Sequence, residues 1–159
     1  MLKLYKRNLN ELHYWETWDK DDSTGIVHWG IVGQKGENKE VRSKLFSNFR
    51  KTIQKEIDQK LADGYAEFDE HDLSNLEVEY IIEGMGSPED LALRHKLEEK
   101  LDNVLGWTGL GHVDGGNIGS GTMEVNCTVV DYEIARKVIE ENLSNTEFEK
   151  YSRIFKTEE

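Results

Sequence analysis

Cysteine and proline are almost absent from this sequence, whose 159 residues contain one of each, Cys127 and Pro88. A single cysteine excludes an internal disulfide framework and is typical of a reducing compartment. The apolar runs are only a few residues long, whereas a membrane helix needs roughly 20. The chain has no basic start followed by an apolar stretch of the signal-peptide type. We therefore expect a cytoplasmic protein that does not bind membranes.

Positive charge is also scarce, since 20 Lys and Arg stand against 32 Asp and Glu, for a net charge of −12. The deficit is uneven. Residues 1–70 hold 12 basic and 13 acidic residues, whereas residues 71–159 hold 8 and 19. Within the first half, residues 35–62 hold eight basic and four acidic residues. This change of charge predicts two domains, 1–70 and 71–159, and the overall negative charge opposes nonspecific binding to nucleic acid.

The usual patterns of catalytic and metal sites are missing as well. The five histidines show no repeated metal-ligand spacing. The glycine-rich stretch 106–121 contains no Lys or Arg, so it is not a phosphate-binding loop. Cys127 alternates with Val125 and Val129, which predicts a buried apolar position rather than a nucleophile. We expect no enzyme, no cofactor and no metal site.

The first half predicts an antiparallel sheet followed by one helix. The aromatic row 13–18 and the segment around Trp29 form two strands, joined by a turn at 21–25. Gly30 directly follows Trp29, and a glycine inside a strand marks a bulge or the close approach of another group. An apolar residue at every fourth position then predicts a helix that begins after an N-cap at Ser47 and ends near Gly64. These positions are Phe49, Ile53, Ile57 and Leu61.

The second half predicts a β-α-β-β-α-β order, the ferredoxin-like plan. Alternation over 76–83 and 123–130 indicates two strands. Ser87 with Pro88 begins one helix, and Asp131 begins the other. The remaining strands are expected in the glycine-rich stretch, ending in a turn at 119–121, and over 148–155. The predicted fold class is therefore α+β, with an antiparallel sheet and helix followed by a ferredoxin-like α/β sandwich.

The first half resembles a WGR domain, the module named for Trp-Gly-Arg, from about residue 4 to residue 65. The resemblance rests on Trp15, on His28-Trp29-Gly30 followed by Val32-Gly33 and Gly36, on Phe46-Ser47, and on Gly64-Tyr65. It implies a small antiparallel sheet against one helix, with a tryptophan that packs on the end of a DNA strand and basic residues that hold the backbone. The third motif position is Ile31, which cannot bond a phosphate as a guanidinium does.

The resemblance and the basic segment together predict an interface for DNA or for a nucleic-acid-associated protein. Aromatic stacking tolerates any base, and lysines neutralise phosphates. The alternative for each residue is structural, with the tryptophan half-buried in the sheet and the lysines on the wet side of a helix. The predicted interface consists of Trp29, Lys35, Lys39, Arg42, Arg50, Lys51 and Lys55.

Two further sites are candidates in the second half. In a ferredoxin-like plan one sheet face stays open, and Glu77, Glu79, Glu83 and Glu124 would lie on it, either as a solubilising surface or as a docking face for a basic partner. The glycine-rich stretch offers a possible ligand loop at Trp107, His112 and Asp114. His112 and Asp114 share a strand face, but two ligands make a poor metal site.

Three functions remain open on this basis. The first is a non-enzymatic binding or regulatory protein whose WGR-like domain engages nucleic acid or a nucleic-acid-associated protein. The second is an acidic protein-interaction module, an adaptor or an antitoxin-like inhibitor, that binds a basic partner. The third is a small-ligand sensor at residues 106–121. Nothing in the sequence indicates an oligomeric state.

Overall fold

A computed structural model describes residues 1–158 and confirms the α+β class. The chain divides into two compact units, an amino-terminal unit, Met1–Asp69, and a carboxy-terminal unit that begins at Glu70. Each unit contains one antiparallel four-stranded sheet. Over residues 1–158 there are three α-helices, one in the first unit and two in the second.

The amino-terminal unit is a meander of four strands followed by a helix. The strands pair in chain order, each antiparallel to the next. The elements are β1 (Leu2–Asn8), β2 (Glu11–Asp19), β3 (Thr24–Ile31), β4 (Glu37–Arg42) and α1 (Phe49–Ala62).

Helix α1 covers one face of this sheet and completes its core. Phe49 and Ile53 pack against Leu4, Trp15 and Val27. Gly25 of β3 permits this contact, because a Cβ there would lie 2.5 Å from Ile53 Cδ1.

The predicted N-cap of α1 is wrong by one residue. The cap is Asn48, whose Oδ1 accepts a hydrogen bond from the Arg50 amide at 2.8 Å. Ser47 instead pairs with Lys44 in a tight turn, which leaves the following residue to begin the helix.

The carboxy-terminal unit has the predicted β-α-β-β-α-β order. Its strands are ordered β6-β7-β5-β8, and every neighbouring pair is antiparallel. The elements are β5 (Ser74–Ile81), α2 (Pro88–Trp107), β6 (Gly111–Gly119), β7 (Thr122–Val129), α3 (Tyr132–Leu143) and β8 (Arg153–Thr157), with a short 3-10 helix at Glu70–Asp72.

The core of this unit lies on one face of the sheet. Leu76, Val78 and Tyr80 of β5 are buried and pair with buried residues of β7. Helices α2 and α3 contact each other as well as the sheet. The intervening residues of β5 and β7 are only partly buried, so the opposite face is the open one.

Helix starts were predicted correctly in this unit, and the last strand was not. Ser87 forms a capping box with Asp90, and Asp131 caps α3. The expected strand over 148–155 begins only at Arg153. The Tyr80 hydroxyl donates a hydrogen bond to the Phe148 carbonyl at 2.6 Å, which holds the preceding segment in the core instead of in the sheet.

Candidate nucleic-acid interface

Trp29 lies at the margin of the core, on the side of the sheet that α1 covers. It is partly buried, packs against the core cluster and stands opposite Trp15 on the neighbouring strand. The ammonium of Lys39 is 5.9 Å from the centre of the Trp29 ring. The same ammonium bonds Glu56 of α1 at 2.7 Å. A base that stacked on Trp29 would therefore compete with Lys39 for the ring.

The glycines that follow Trp29 have a packing role. A Cβ on Gly30 would lie 2.8 Å from Gly36 Cα, and a Cβ on Gly36 would lie 2.1 Å from the Trp29 carbonyl oxygen. Gly36 also has φ +65°, a backbone conformation that glycine tolerates best. The loop after β3 thus folds back against the strand, which is the close approach that the sequence predicted at Gly30.

A buried polar network, which sequence reasoning missed, lies beneath this loop. His28 Nδ1 is 2.8 Å from Glu16 Oε1, and its Nε2 contacts the Lys35 carbonyl. Through its two ring nitrogens, His28 of β3 links Glu16 of β2 to the loop that follows β3. The Tyr14 hydroxyl donates to the Gln34 carbonyl at 2.8 Å.

This network supports the loop and is closed to ligands. Glu16 is 4% exposed, Tyr14 2% and His28 0%. Burial, and next the charge of Glu16, raise the pKa of the Tyr14 hydroxyl, which keeps it protonated as a donor. The only sequence signal for the network was the alternation of polar groups with apolar ones in β2 and β3, which does not specify a partner.

The structure separates the seven predicted interface residues into three groups. Three are neutralised by carboxylates: Lys39 pairs with Glu56, Arg42 with Glu40 at 2.9 Å, and Arg50 with Asp19 at 2.9 Å. Trp29 belongs to the margin of the core. The other three are exposed and make no ion pair within residues 1–158; they are Lys35, Lys51 and Lys55.

These residues do not form one continuous patch. Lys35 lies in the loop whose carbonyl contacts His28, on the sheet face away from α1. Lys51 and Lys55 lie one helical turn apart on α1. Of the three unpaired lysines, two are therefore close together, and both belong to the first half of α1.

The beginning of α1 has an unusual charge distribution. Residues 41–55 contain five basic residues and no acidic one. The first turn of α1 has no acidic residue, whereas α2 has Glu89 and Asp90 there and α3 has Glu133. Since the amino end of a helix dipole is positive, Arg50 and Lys51 stand where cations are unfavourable.

The acidic residues of the second unit lie on the open face of its sheet, with one exception. Glu79 of β5 stands opposite Glu124 of β7, and Glu77 is two residues away on the same strand. Glu83 lies beyond the end of β5, so the strand register does not place it with the others. Arg153 of β8 forms two hydrogen bonds with Glu79, at 3.0 and 3.1 Å.

The two glutamates of β5 have opposite electrostatic environments. Hydrogen bonds from Arg153 and Ser152 lower the pKa of Glu79. Burial raises the pKa of Glu77, and the charges of Glu124 and Glu79 add to that effect. The face is thus partly neutralised at Glu79, and Glu77 has no cation bonded to it in the described part of the chain.

The possible ligand loop is strand β6 and its surroundings. His112 Nε2 lies 2.9 Å from Asp114 Oδ1, beside a bulge between Val113 and Gly115. Asp114 also accepts a hydrogen bond from Thr128. Trp107 is the last residue of α2 and is 42% exposed. Over residues 1–158, no group of three or more His, Cys, Asp or Glu side chains is arranged to hold a metal ion.

Cys127 occupies the core of the second unit. Its side chain is 1% exposed. Burial raises the pKa of the thiol to about 12. Because the thiolate is the nucleophilic form, this cysteine is unreactive at neutral pH.

The described residues include no helix that combines the length and the apolar character needed to cross a membrane. Comparisons of the chain with protein-family models, with curated proteins and with solved structures find no match. The resemblance to WGR domains therefore stays a prediction.

Proposed function

We propose that this chain is a non-enzymatic binding protein whose amino-terminal unit engages nucleic acid at the beginning of α1. One observation carries the proposal. In a chain of net charge −12, residues 41–55 hold five basic residues and no acidic one. Lys51 and Lys55 of this stretch are exposed and unpaired within residues 1–158. Such cations are free to neutralise phosphates and to release the counterions that accompany them.

The position of Lys51 adds support, because it opposes helix stability. Lys51 is the third residue after the Asn48 cap, the position at which glutamate completes a capping box. Both the capping box and the helix dipole favour an acid there. A lysine at this position is understandable when a bound anion provides the missing negative charge.

The distribution of charge between the units defines how such binding would behave. Residues 1–69 hold 12 basic and 12 acidic residues, and residues 70–159 hold 8 and 20. The first unit is therefore neutral as a whole and basic only locally. We expect binding that is weak at physiological salt and strongest at low ionic strength, because the acidic unit repels a polyanion.

A second candidate is docking of a basic protein on the open face of the second unit. Glu77 favours it, since this carboxylate faces two others and no cation is bonded to it in the described chain. An incoming Lys or Arg would relieve this repulsion. The small-ligand alternative is weaker, because His112 already bonds Asp114, and Asp114 also accepts a hydrogen bond from Thr128.

The test is a salt series of binding to a labelled single strand, a blunt duplex and a nicked duplex, by fluorescence anisotropy. We expect Lys51→Glu to weaken binding and to reduce the slope of log affinity against log salt by about one. The substitution should leave the midpoint of thermal unfolding unchanged or raise it, because an acid is favoured at this position of the helix.

The matched control is Lys137→Glu. Lys137 is exposed on α3 and is unpaired within residues 1–158, so the substitution changes the net charge equally on the other unit. Equal losses for the two variants would assign the effect to net charge and reject the interface at α1. No binding to any of the three nucleic acids at low salt would reject the proposal and favour the basic-protein candidate.

A further inference from the structure

Two large apolar side chains project from the turn that joins β4 to α1. The turn is closed by two backbone hydrogen bonds, from Lys44 N to Ser47 O at 2.7 Å and from Ser47 N to Lys44 O at 3.1 Å. The two residues at its tip are Leu45 and Phe46, which are 89% and 97% exposed. Contiguous exposed apolar surface rimmed by polar residues is more informative about binding than a single exposed apolar residue.

The turn is held in place from both sides. The Ser43 amide donates to the Ser23 carbonyl at 2.8 Å, and the Ser43 hydroxyl accepts from the Phe49 amide at 3.0 Å. Phe49 is fully buried. The tip is therefore fixed to the core, and presenting Leu45 and Phe46 to a partner costs little ordering of the chain.

The surroundings of the tip are cationic. Arg42 and Lys44 precede it and Arg50 and Lys51 follow it. Carboxylates outside this segment neutralise the two arginines. Lys44 and Lys51 make no ion pair within residues 1–158. A partner that fits this surface has a flat apolar group for the ring and several negative charges beside it.

We propose that the Leu45-Phe46 tip is a stacking element for an unpaired base of single-stranded nucleic acid, with Lys44 and Lys51 on the adjacent phosphates. The inference rests on the proposed function and specifies its substrate class. An unpaired base offers a free face to an aromatic ring, whereas the bases of a duplex are stacked on one another. Only a strand end or a single strand provides both the free face and the closely spaced phosphates.

An anionic membrane is the other polyanion that an apolar tip could enter. The apolar surface here is two side chains. Even a whole myristoyl chain gives only marginal membrane binding. The carboxy-terminal unit, with 8 basic and 20 acidic residues, would also be repelled by an anionic bilayer, whereas a flexible single strand can bend away from it. The observations therefore favour a single strand.

The experiment measures binding of the full chain to a labelled single strand and to a blunt duplex of equal length at low salt. We expect Phe46→Ala to weaken binding of the single strand about 5- to 150-fold, the range for one stacked base. The Phe46→Trp variant, which keeps an aromatic ring, should bind the single strand as tightly as the wild type. The duplex should change less. Leu9→Ala is the matched control, because Leu9 is 92% exposed at another turn of the same unit.

The outcomes separate this inference from the proposed function. If the wild type binds and Lys51→Glu weakens binding, but Phe46→Ala behaves like Leu9→Ala, the stacking element is rejected and the proposed function stands. If the wild type binds no nucleic acid, both are rejected. Phe46-dependent binding to vesicles containing phosphatidylserine, with no effect of Phe46→Ala on the single strand, would assign the tip to membranes and overturn the inference.

Discussion

At the scale of single residues, the first unit contains two Glu–His pairs, one buried and one on the surface, and their contributions to stability differ. Glu16 and His28 are bonded inside the first unit and are almost fully buried. Glu11 and His13 are bonded at 3.0 Å on its surface, with side chains 55% and 27% exposed. Breaking a buried ion pair leaves one charge without water or partner, whereas a surface pair is readily replaced by hydration.

Removing the buried carboxylate charge should therefore destabilise the first unit strongly. We expect Glu16→Gln to lower its free energy of unfolding by about 3–5 kcal/mol. Glu11→Gln should change it by less than about 1 kcal/mol. Urea denaturation followed by the NMR amide signals of β2 and β3 measures both. Similar small effects of the two substitutions would show that His28 does not depend on Glu16.

At the scale of elements, strand β5 shows how one face can hold a favourable and an unfavourable charge side by side. Glu79 is bonded by Arg153, and Glu77 faces like charges. A raised pKa means that the folded state binds a proton more tightly than the unfolded state. Ionised Glu77 therefore lowers the free energy of unfolding at pH values above its folded-state pKa. This loss disappears as the pH falls from the folded-state pKa to the lower pKa of the unfolded state. The lowered pKa of Glu79 has the opposite sign, since its stabilisation is present at neutral pH and is lost in acid.

Neutralising these two glutamates should change stability in opposite directions. At pH 7 we expect Glu77→Gln to raise the free energy of unfolding of the second unit by about 0.2–1 kcal/mol. Glu79→Gln should lower it by a similar amount, about 0.2–1 kcal/mol. Both differences should shrink at pH 4. The measurement is urea denaturation at both pH values, followed by the amide signals of β5 and β7. Two changes of the same sign at pH 7 would contradict the assigned environments.

At the scale of the whole molecule, the net charge of −12 belongs to one unit. The first unit has equal numbers of basic and acidic residues, and the second has 8 against 20. Self-repulsion destabilises a compact state of high net charge, and salt screens it. Ionic strength should therefore act on the two units unequally.

Added salt should stabilise the second unit more than the first. Hydrogen exchange followed by mass spectrometry on the full chain, at low and at moderate NaCl, resolves the two. We expect exchange in β5 and β7 to slow with added salt by a larger factor than exchange in β2 and β3. An equal change in both sheets would show that net charge does not control the stability of the second unit.

Features that depend on neighbours along the chain were predictable from the residues alone. Alternation located β5 and β7, and the Ser87-Pro88 and Asp131 signals located the starts of α2 and α3. The charge count predicted two domains. These signals are local because a cap, a strand period or a charge run is complete within a few residues. Even so, the predicted N-cap of α1 was wrong by one residue. Ser47 closes a turn with Lys44, and Asn48 caps the helix instead.

Which side chains contact one another could be read only from the three-dimensional fold. Glu16 and His28 lie on different strands, Gly30 needs its small size because Gly36 returns against it, and Arg50 is neutralised by an aspartate 31 positions earlier. The same holds for exposure, because the sequence gives no reason to expect Trp29 and Phe46 to differ in burial. One packs at its margin, and the other is held out at the tip of a turn. Such outcomes depend on contacts between residues that are distant along the chain, and no local pattern encodes them.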